Sequence, residues 1–221
     1  MKVVLGFKAH SGWAAMVAIG RVAGDLVVVR GDVRGDKPSG LSDLAVVDRR
    51  RIELADLSEG EWARQPYHAA EGLPSARANE VVARGIATAR RMALAEIRGA
   101  VARVKKAGHS VIGCAVLVGN PMPEWSVDQI LAVHFRMHQA EGVLYRNVLI
   151  DAARACKLKV IEVSEKRIGE ECARALKRPA SQLDEQVSAL KAQVGAPWGS
   201  DQKQAALAAM IGLVRQPFRR R

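Results

Sequence analysis

Cysteine and aromatic residues are scarce in this chain of 221 residues. The first scarcity excludes two classes of protein, and the second limits the composition of the core. The three cysteines, Cys114, Cys156 and Cys172, form no C-x-x-C pair, so neither a disulfide framework nor a structural zinc finger is expected. Aromatic residues make up 4% of the chain and hydrophobic residues 49%. The core must therefore consist mainly of Ala, Val, Leu and Ile, and Cys114, inside an apolar run, is expected to be a buried small hydrophobe.

Long apolar runs are also missing. No stretch of about 18 apolar residues occurs, so no membrane span is expected, and the opening MKVVLGFKAH lacks the apolar region and cleavage site of a signal peptide. These observations predict a cytoplasmic protein.

Positive charge is in excess, because the chain has 34 Lys and Arg against 23 Asp and Glu, which gives a net charge of +11. Such a charge favours a polyanionic partner such as nucleic acid or anionic lipid.

Short apolar runs at the start of the chain predict β-strands. Strands are expected over residues 3–7 and 13–22, joined by a tight turn at Ser11 and Gly12. The other elements predicted in this region are a short strand at residues 26–29, an exposed loop rich in Gly, Asp, Pro and Ser at residues 31–43, and a strand at residues 44–54.

Helical periodicity begins near Ala76. Apolar residues at every third or fourth position predict a first long helix up to Ala107, and Ser126 is placed to cap a second one that ends near Cys156. The remaining predicted elements are strands at residues 110–119 and 158–163, weak helices at 168–176 and 180–194, an Ala-rich helix at 202–214 and a basic tail at 215–221.

This order of elements predicts a single α/β domain over residues 1–221. The leading strands are expected to form an antiparallel meander, and the later strands, each preceded by a helix, should join in parallel. The expected architecture is a mixed five-stranded sheet in βββαβαβα order with helices on both faces.

That order resembles the ribonuclease H-like fold, and most closely the RuvC-type Holliday junction resolvases. The opening VVLGFKAHSGWAAMVAIG is similar to the first hairpin of these proteins, and PWGSDQKQAALAAMIGL is similar to their last helix, which begins with an acidic residue. Between them, ILAVHFRMHQAEGVLYRNVLIDAARACKLKVIEV fits a helix followed by the fifth strand. In the order of its strands and helices, the chain resembles these proteins over nearly its whole length.

The resemblance implies a site in which three or four carboxylates hold two divalent metals that cleave a phosphodiester. Asp201 matches the acidic position of the last helix. Lys8 stands nearest to the aspartate of the first strand, and Gly119 and Asn120 stand where the fourth strand often ends in glutamate. A lysine repels a divalent cation, so the expectation is an altered or lost activity. If the alignment holds, Lys8 and Asp201 should lie within ion-pair distance.

Two further acidic residues and the first turn allow other interpretations of the site. Glu80 and Glu124 could complete a displaced metal site, although neither lies where the resemblance requires it. The turn at Ser11 and Gly12, with Lys8 nearby, could receive an anion as in the actin-like ATPases of this fold, or it could be a plain turn.

The first long helix carries basic residues at a spacing of seven, nearly two helical turns, so they form one stripe. The stripe could follow a phosphate backbone or be a solvated helix face. The segment before the helix contains aromatic side chains that could stack on bases or cover the sheet. The candidate nucleic-acid-binding residues are Arg77, Arg84, Arg91, Arg98 and Lys105 of the stripe, and Trp62, Tyr67 and His68 of the preceding segment.

The second long helix carries His134, His138, Glu141 and Tyr145 along one face. The spacing has the geometry of a transition-metal site, but no distant further ligand is evident, so no metal site is predicted. The alternatives are a polar pocket, in which His138 and Glu141 could act as acid or base, or structural packing.

Three hypotheses follow. The first is a DNA- or RNA-binding protein of ribonuclease H-like fold that lacks the usual carboxylates and needs no cofactor. The second is an active nuclease that uses Mg²⁺ or Mn²⁺ with a displaced set, Asp201, Glu141 and Glu80, assisted by His138. The third is an oligomeric scaffold, for which a homodimer is the simplest form. A shared fold does not decide among them.

Overall fold

The computed structural model describes residues 1–21 and 44–215. The strand predicted at residues 26–29, the predicted loop at residues 31–43 and residues 216–221 of the predicted basic tail lie outside the described residues.

A mixed five-stranded sheet forms the centre of the protein, with strands in the order β3-β2-β1-β4-β5. The first three strands form an antiparallel meander, and β4 and β5 run parallel to β1. The predicted sheet is therefore confirmed. The strands are β1 (Lys2–His10), β2 (Trp13–Arg21), β3 (Leu44–Glu53), β4 (Ser110–Val118) and β5 (Lys159–Ser164).

Helices cover both faces of the sheet, as predicted, because its central strands are apolar on both sides. Val3, Leu5 and Phe7 of β1 belong to one core, together with the two long helices, whereas Val4 points to a second core with the C-terminal helices. The helices are α1 (Pro66–Ala69), α2 (Ser75–Lys106), α3 (Val127–Leu131), α4 (His134–Ala155), α5 (Ile168–Leu176), α6 (Ala180–Ala189), α7 (Lys191–Val194) and α8 (Ser200–Arg215). None of the helices in the described ranges is long and apolar enough to cross a membrane.

The second long helix is interrupted, contrary to the prediction of one helix from Ser126. Ser126 does cap a helix through a capping box with Gln129, but this helix, α3, ends at Leu131. Val133 then adopts an extended conformation (φ −141°, ψ 113°), and α4 begins at His134. The break places His134 and His138 in the first turns of a new helix.

Helix α8 lies directly against β1. A Cβ atom added to Gly6 would lie 1.9 Å from the carbonyl oxygen of Ala205, so only glycine allows this approach. One added to Gly212 would lie 2.6 Å from Val4 Cγ1. The close contact brings the start of α8 against the end of β1, where Lys8 lies.

Cys114 and Cys172 are fully buried, and burial raises the pKa of each thiol to about 12. Because the thiolate is the reactive form, we expect iodoacetamide at pH 8 to modify neither residue in the folded protein and to reach only the half-buried Cys156. Peptide mapping after a short exposure would test this, with the urea-unfolded chain as the control in which all three react. Rapid labelling of Cys114 in the folded chain would contradict it.

Candidate functional site

The ammonium group of Lys8 lies among polar groups from two other elements. Its Nζ is 2.6 Å from Gln204 Oε1, 3.1 Å from Glu165 Oε1 and 3.5 Å from Asp201 Oδ1. The Lys8 side chain is 13% exposed and the two carboxylate side chains are about a third exposed. A partly buried cation thus bridges two carboxylates.

The fold explains why these residues meet. Side chains alternate along β1, so Lys8 points to the same face as Gly6, which is the face that α8 covers. Asp201 and Gln204 are three residues apart and lie on one side of α8. Glu165 follows β5 directly, and since β5 runs parallel to β1, the carboxyl ends of both strands lie at the same edge of the sheet.

His10 completes this group. Its Nε2 lies 3.2 Å from Asp201 Oδ1, although without the alignment of a hydrogen bond. The imidazole stacks on Trp13 with ring centroids 4.2 Å apart, and the guanidinium of Arg51 lies 4.1 Å above the Trp13 ring. The hairpin turn therefore holds His10 in place. Lys8 is engaged with carboxylates and is not free to receive an anion with Ser11, as one sequence interpretation suggested.

A pair of divalent metals does not fit these residues. The Lys8 ammonium fills the space between Glu165 and Asp201, and β4 is followed by Gly119 and Asn120, which add no carboxylate. Each hard cation needs several oxygen ligands. Two carboxylates that already share an ammonium do not provide them.

The displaced acid set predicted from the sequence is not assembled. Glu80 is exposed and paired with Arg77 at 2.7 Å, and Glu141 is buried beside His68 at 2.9 Å, with 1% of its side chain exposed. Within the described residues, the only group of three or more His, Cys, Asp or Glu close enough to share a metal consists of histidines. Asp201, Glu141, Glu80 and His138 therefore do not form one site, and Glu124 is exposed outside any such group.

A cleft of about 540 Å³ opens beside Lys8, lined by Glu165 and Gln204, by the end of β4 and by one side of α4. Arg146 and Lys166 also line it. The Arg146 guanidinium packs over two glycines, since a Cβ at Gly119 would lie 2.7 Å from its Nη1 and one at Gly142 would lie 3.4 Å from its Nη2.

Cations outnumber carboxylates around this cleft. Glu165 and Asp201 are shared with Lys8, whereas Arg146 and Lys166 make no ion pair with any residue in the ranges 1–21 and 44–215. The cleft therefore offers a planar guanidinium and an ammonium that are available to an anion.

The stripe on α2 is exposed along its length, but much of its charge is paired. Among its members, Arg84 lies 2.9 Å from Glu59 and Arg91 lies 3.5 Å from Asp56. Hydrogen bonds from the hydroxyl and amide of Ser58 hold the pKa of Asp56 below its usual range. Arg98 and Lys105 make no ion pair within the described part of the chain, so the stripe is less basic than its sequence indicates.

The segment before α2 does not present the aromatic surface that the sequence suggested. Tyr67 is 8% exposed and lies in the core, so the expectation that it stacks on bases is wrong. Burial raises the pKa of its hydroxyl. Trp62 is half-buried, donates its indole N–H to the carbonyl of Glu59 at 2.6 Å, and lies 5.0 Å below the guanidinium of Arg84. Tyr145 of α4 fixes the segment by donating to the carbonyl of Arg64 at 2.8 Å.

Three histidines meet where α1 packs against α4. His68, His134 and His138 each place a ring nitrogen within 4.8 Å of the others. The pair on α4 was recognisable from its spacing, but the third member was not, because no periodicity links His68 to that pair. Glu165 and Gln204 were also missed, and Arg146 was not predicted to line a cleft. Only the first two had a signal, since Glu165 follows the last strand and Gln204 lies one turn after Asp201.

No protein-family model matches the chain, and no curated protein matches its sequence. Two solved structures of RuvC from Thermus thermophilus are similar in fold. The structure in complex with a Holliday junction substrate has 8% identity and a TM-score of 0.48, and covers 97% of this chain and 94% of that one. Another T. thermophilus RuvC structure has 9% identity and a TM-score of 0.47, with 96% and 93% covered. The antiparallel meander followed by parallel strands is the arrangement that the ribonuclease H-like resemblance implies.

Proposed function

We propose that this protein binds DNA or RNA without metal-dependent cleavage, holding a phosphodiester group in the cleft beside Lys8. The observation that carries the proposal is the position of the Lys8 ammonium between Glu165 and Asp201. In a ribonuclease H-like site, this is where a cation held by carboxylates would meet the scissile phosphate. Here the cation is the Lys8 side chain, which neutralises the carboxylates in part but activates no water, so Arg146 and Lys166, which line the cleft, would hold the phosphate.

The positive charge around the cleft and the position of the cleft in the sheet both favour an anionic ligand. The cleft lies at the carboxyl ends of parallel strands, where open α/β sheets bind their ligands. A phosphodiester carries one negative charge, and the paired N–H groups of the Arg146 guanidinium have the spacing to donate to two phosphate oxygens. The net charge of +11 raises the local concentration of any polyanion. Arg98 and Lys105 on α2 offer a second contact for a long backbone.

The other hypotheses have less support. A nuclease with displaced acids would need carboxylates that converge, and those of the predicted set do not. The oligomeric scaffold, the homodimer and the cytoplasmic location stay predictions, which sedimentation and fractionation would test.

We expect Arg146→Gln to weaken nucleic-acid binding by about tenfold, the effect of losing one charge-assisted contact. Its matched control is Arg154→Gln on the same helix, because Arg154 is exposed and pairs with Glu162 instead of lining the cleft. Fluorescence anisotropy with labelled single strands, duplexes and four-way junctions in EDTA would measure both. Affinity should fall steeply between about 50 and 200 mM salt, and Arg146→Gln should reduce the salt slope by about one.

Two results would overturn the whole proposal, and a third would overturn the role of the cleft. One is the absence of binding to any of these nucleic acids at low salt. The other is Mg²⁺-dependent cleavage that Asp201→Asn abolishes, which would favour the nuclease. Equal effects of Arg146→Gln and Arg154→Gln would show that binding does not involve the cleft.

A further inference from the structure

The three histidines come from two elements that the fold brings together. His134 and His138 are one turn apart at the start of α4, and His68 lies in α1, which packs against that helix. The ring centroids of His68 are 5.2 Å from those of His134 and 4.5 Å from those of His138. Histidines at positions i and i+4 of a helix, with a third from elsewhere, form a common ligand set for transition metals.

The distances suit a single small cation. His134 Nε2 and His138 Nε2 face each other at 3.2 Å. Two nitrogens bound tetrahedrally at about 2.0–2.1 Å from one ion lie about 3.4 Å apart. The ligand atoms of all three residues lie within 4.8 Å of one another, so the three nitrogens converge on one region.

Glu141 orients His68. Its Oε1 lies 2.9 Å from His68 Nδ1 and accepts a hydrogen bond from the His68 backbone N–H at 3.3 Å. A carboxylate only accepts, so Nδ1 carries the proton and Nε2 carries the lone pair. Glu141 is 1% exposed. A buried carboxylate that fixes the tautomer of a histidine is the usual support of a metal-ligating imidazole.

Two buried polar atoms are left without a partner here. Among the residues that the structure describes, none is a hydrogen-bond partner of His68 Nε2 or of Glu141 Oε2. Orphaned buried polar atoms are rare because each costs free energy. A metal ion bound to His68 Nε2 would satisfy the first and would offset the buried negative charge behind it.

The geometry points to a divalent transition-metal site formed by His68, His134 and His138, with Glu141 as a positioning residue. Imidazole ligands suit Zn²⁺ and related ions. Three protein ligands leave a fourth position for water or another small ligand. His138 also lines the cleft beside Lys8, so the site borders the proposed phosphate pocket without sharing the Lys8 carboxylates.

Titration of the untagged, metal-stripped chain with Co²⁺ would test the site, because tetrahedral Co²⁺ gives intense visible absorption. We expect one Co²⁺ per chain, displaced by Zn²⁺. His134→Gln and His68→Gln should each weaken binding by about 100-fold or more, since even orienting partners are worth about 10–100-fold. The matched control is His109→Gln, because His109 contacts the N-terminal amine at 3.2 Å, remote from the cluster. It should bind Co²⁺ like the unmodified chain.

Glu141→Gln tests the positioning role. We expect affinity to fall by about 10–100-fold and the Co²⁺ spectrum to shift, which a general loss of stability would not cause. His134 is exposed, so its variant should keep the far-UV circular dichroism of the native fold. Absence of tetrahedral Co²⁺ absorption, or an unchanged affinity in His134→Gln, would overturn the site. The metal titration contains no nucleic acid and the anisotropy assay contains EDTA, so the two proposals fail independently.

Discussion

Lys8→Asp is expected to turn the ion-paired site into one that binds Mn²⁺. The substitution removes the ammonium that Glu165 and Asp201 share and adds a third carboxylate at the end of β1. Without metal, like charges close together repel one another, and the broken pairs should cost about 2–3 kcal/mol, a value reduced from that of a fully buried pair because both acids are about a third exposed. With Mn²⁺ at 100 times its Kd, binding should restore about 2.7 kcal/mol.

Thermal unfolding with and without Mn²⁺ would measure the effect. Mn²⁺ should raise the Tm of Lys8→Asp by about 5–10 °C for a chain of this size. Lys8→Met is the matched control, since it also removes the ammonium but adds no carboxylate, and its Tm should respond far less. Running both variants with His134→Gln in the background excludes a contribution from the histidines. Equal responses of the two variants would mean that the carboxylates at Lys8 do not converge on a cation.

Gly6→Ala should remove a large part of the stability of the fold. The added Cβ would lie 1.9 Å from the carbonyl oxygen and 2.9 Å from the carbonyl carbon of Ala205, and 2.9 Å from the backbone N of Ala209. These are backbone atoms, so no side-chain rotation relieves the overlap, and α8 must move off β1. We expect a loss of about 4 kcal/mol or more, out of a total of about 5–15 kcal/mol for a typical domain.

Urea denaturation followed by circular dichroism would measure this loss. Gly169→Ala is the control, because its Cβ meets no atom of another described residue within 4 Å and its position in α5 favours alanine. It should be neutral or stabilising by up to about 1 kcal/mol. A Gly6→Ala protein that unfolds at the same urea concentration as the unmodified chain would show that α8 does not pack on β1 as described.

The sheet was predictable because its strands are recognisable from the local sequence alone. The buried runs around Leu5 and Val116 are apolar on both faces, and the helices between them fix the parallel connection. The break after α3 was not predictable, because neither Gly nor Pro marks Val133 and the residues on both sides favour a helix. Its extended conformation is set by the tertiary structure.

The site was predictable only in part. The position of Lys8 beside Asp201 follows from the first hairpin and the last helix, which the sequence resemblance aligns. Its other partners depend on which strand ends meet, and no spacing links Glu165 to Lys8. The pairing of α2 arginines with Asp56 and Glu59 was hidden for the same reason, since those acids lie in an irregular segment without periodicity.

The Lys8 ammonium differs from a metal in being covalently attached. A bound Mg²⁺ exchanges with solvent and depends on chelators and on nucleotide levels in its surroundings, whereas a tethered counterion is present at a fixed stoichiometry in every folded chain. Under the proposed function, the two carboxylates beside the cleft would therefore be partly neutralised as soon as the protein folds. The affinity of the cleft for a nucleic-acid backbone would then depend on ionic strength. The Mg²⁺ concentration would matter only where Mg²⁺ competes for the phosphates themselves.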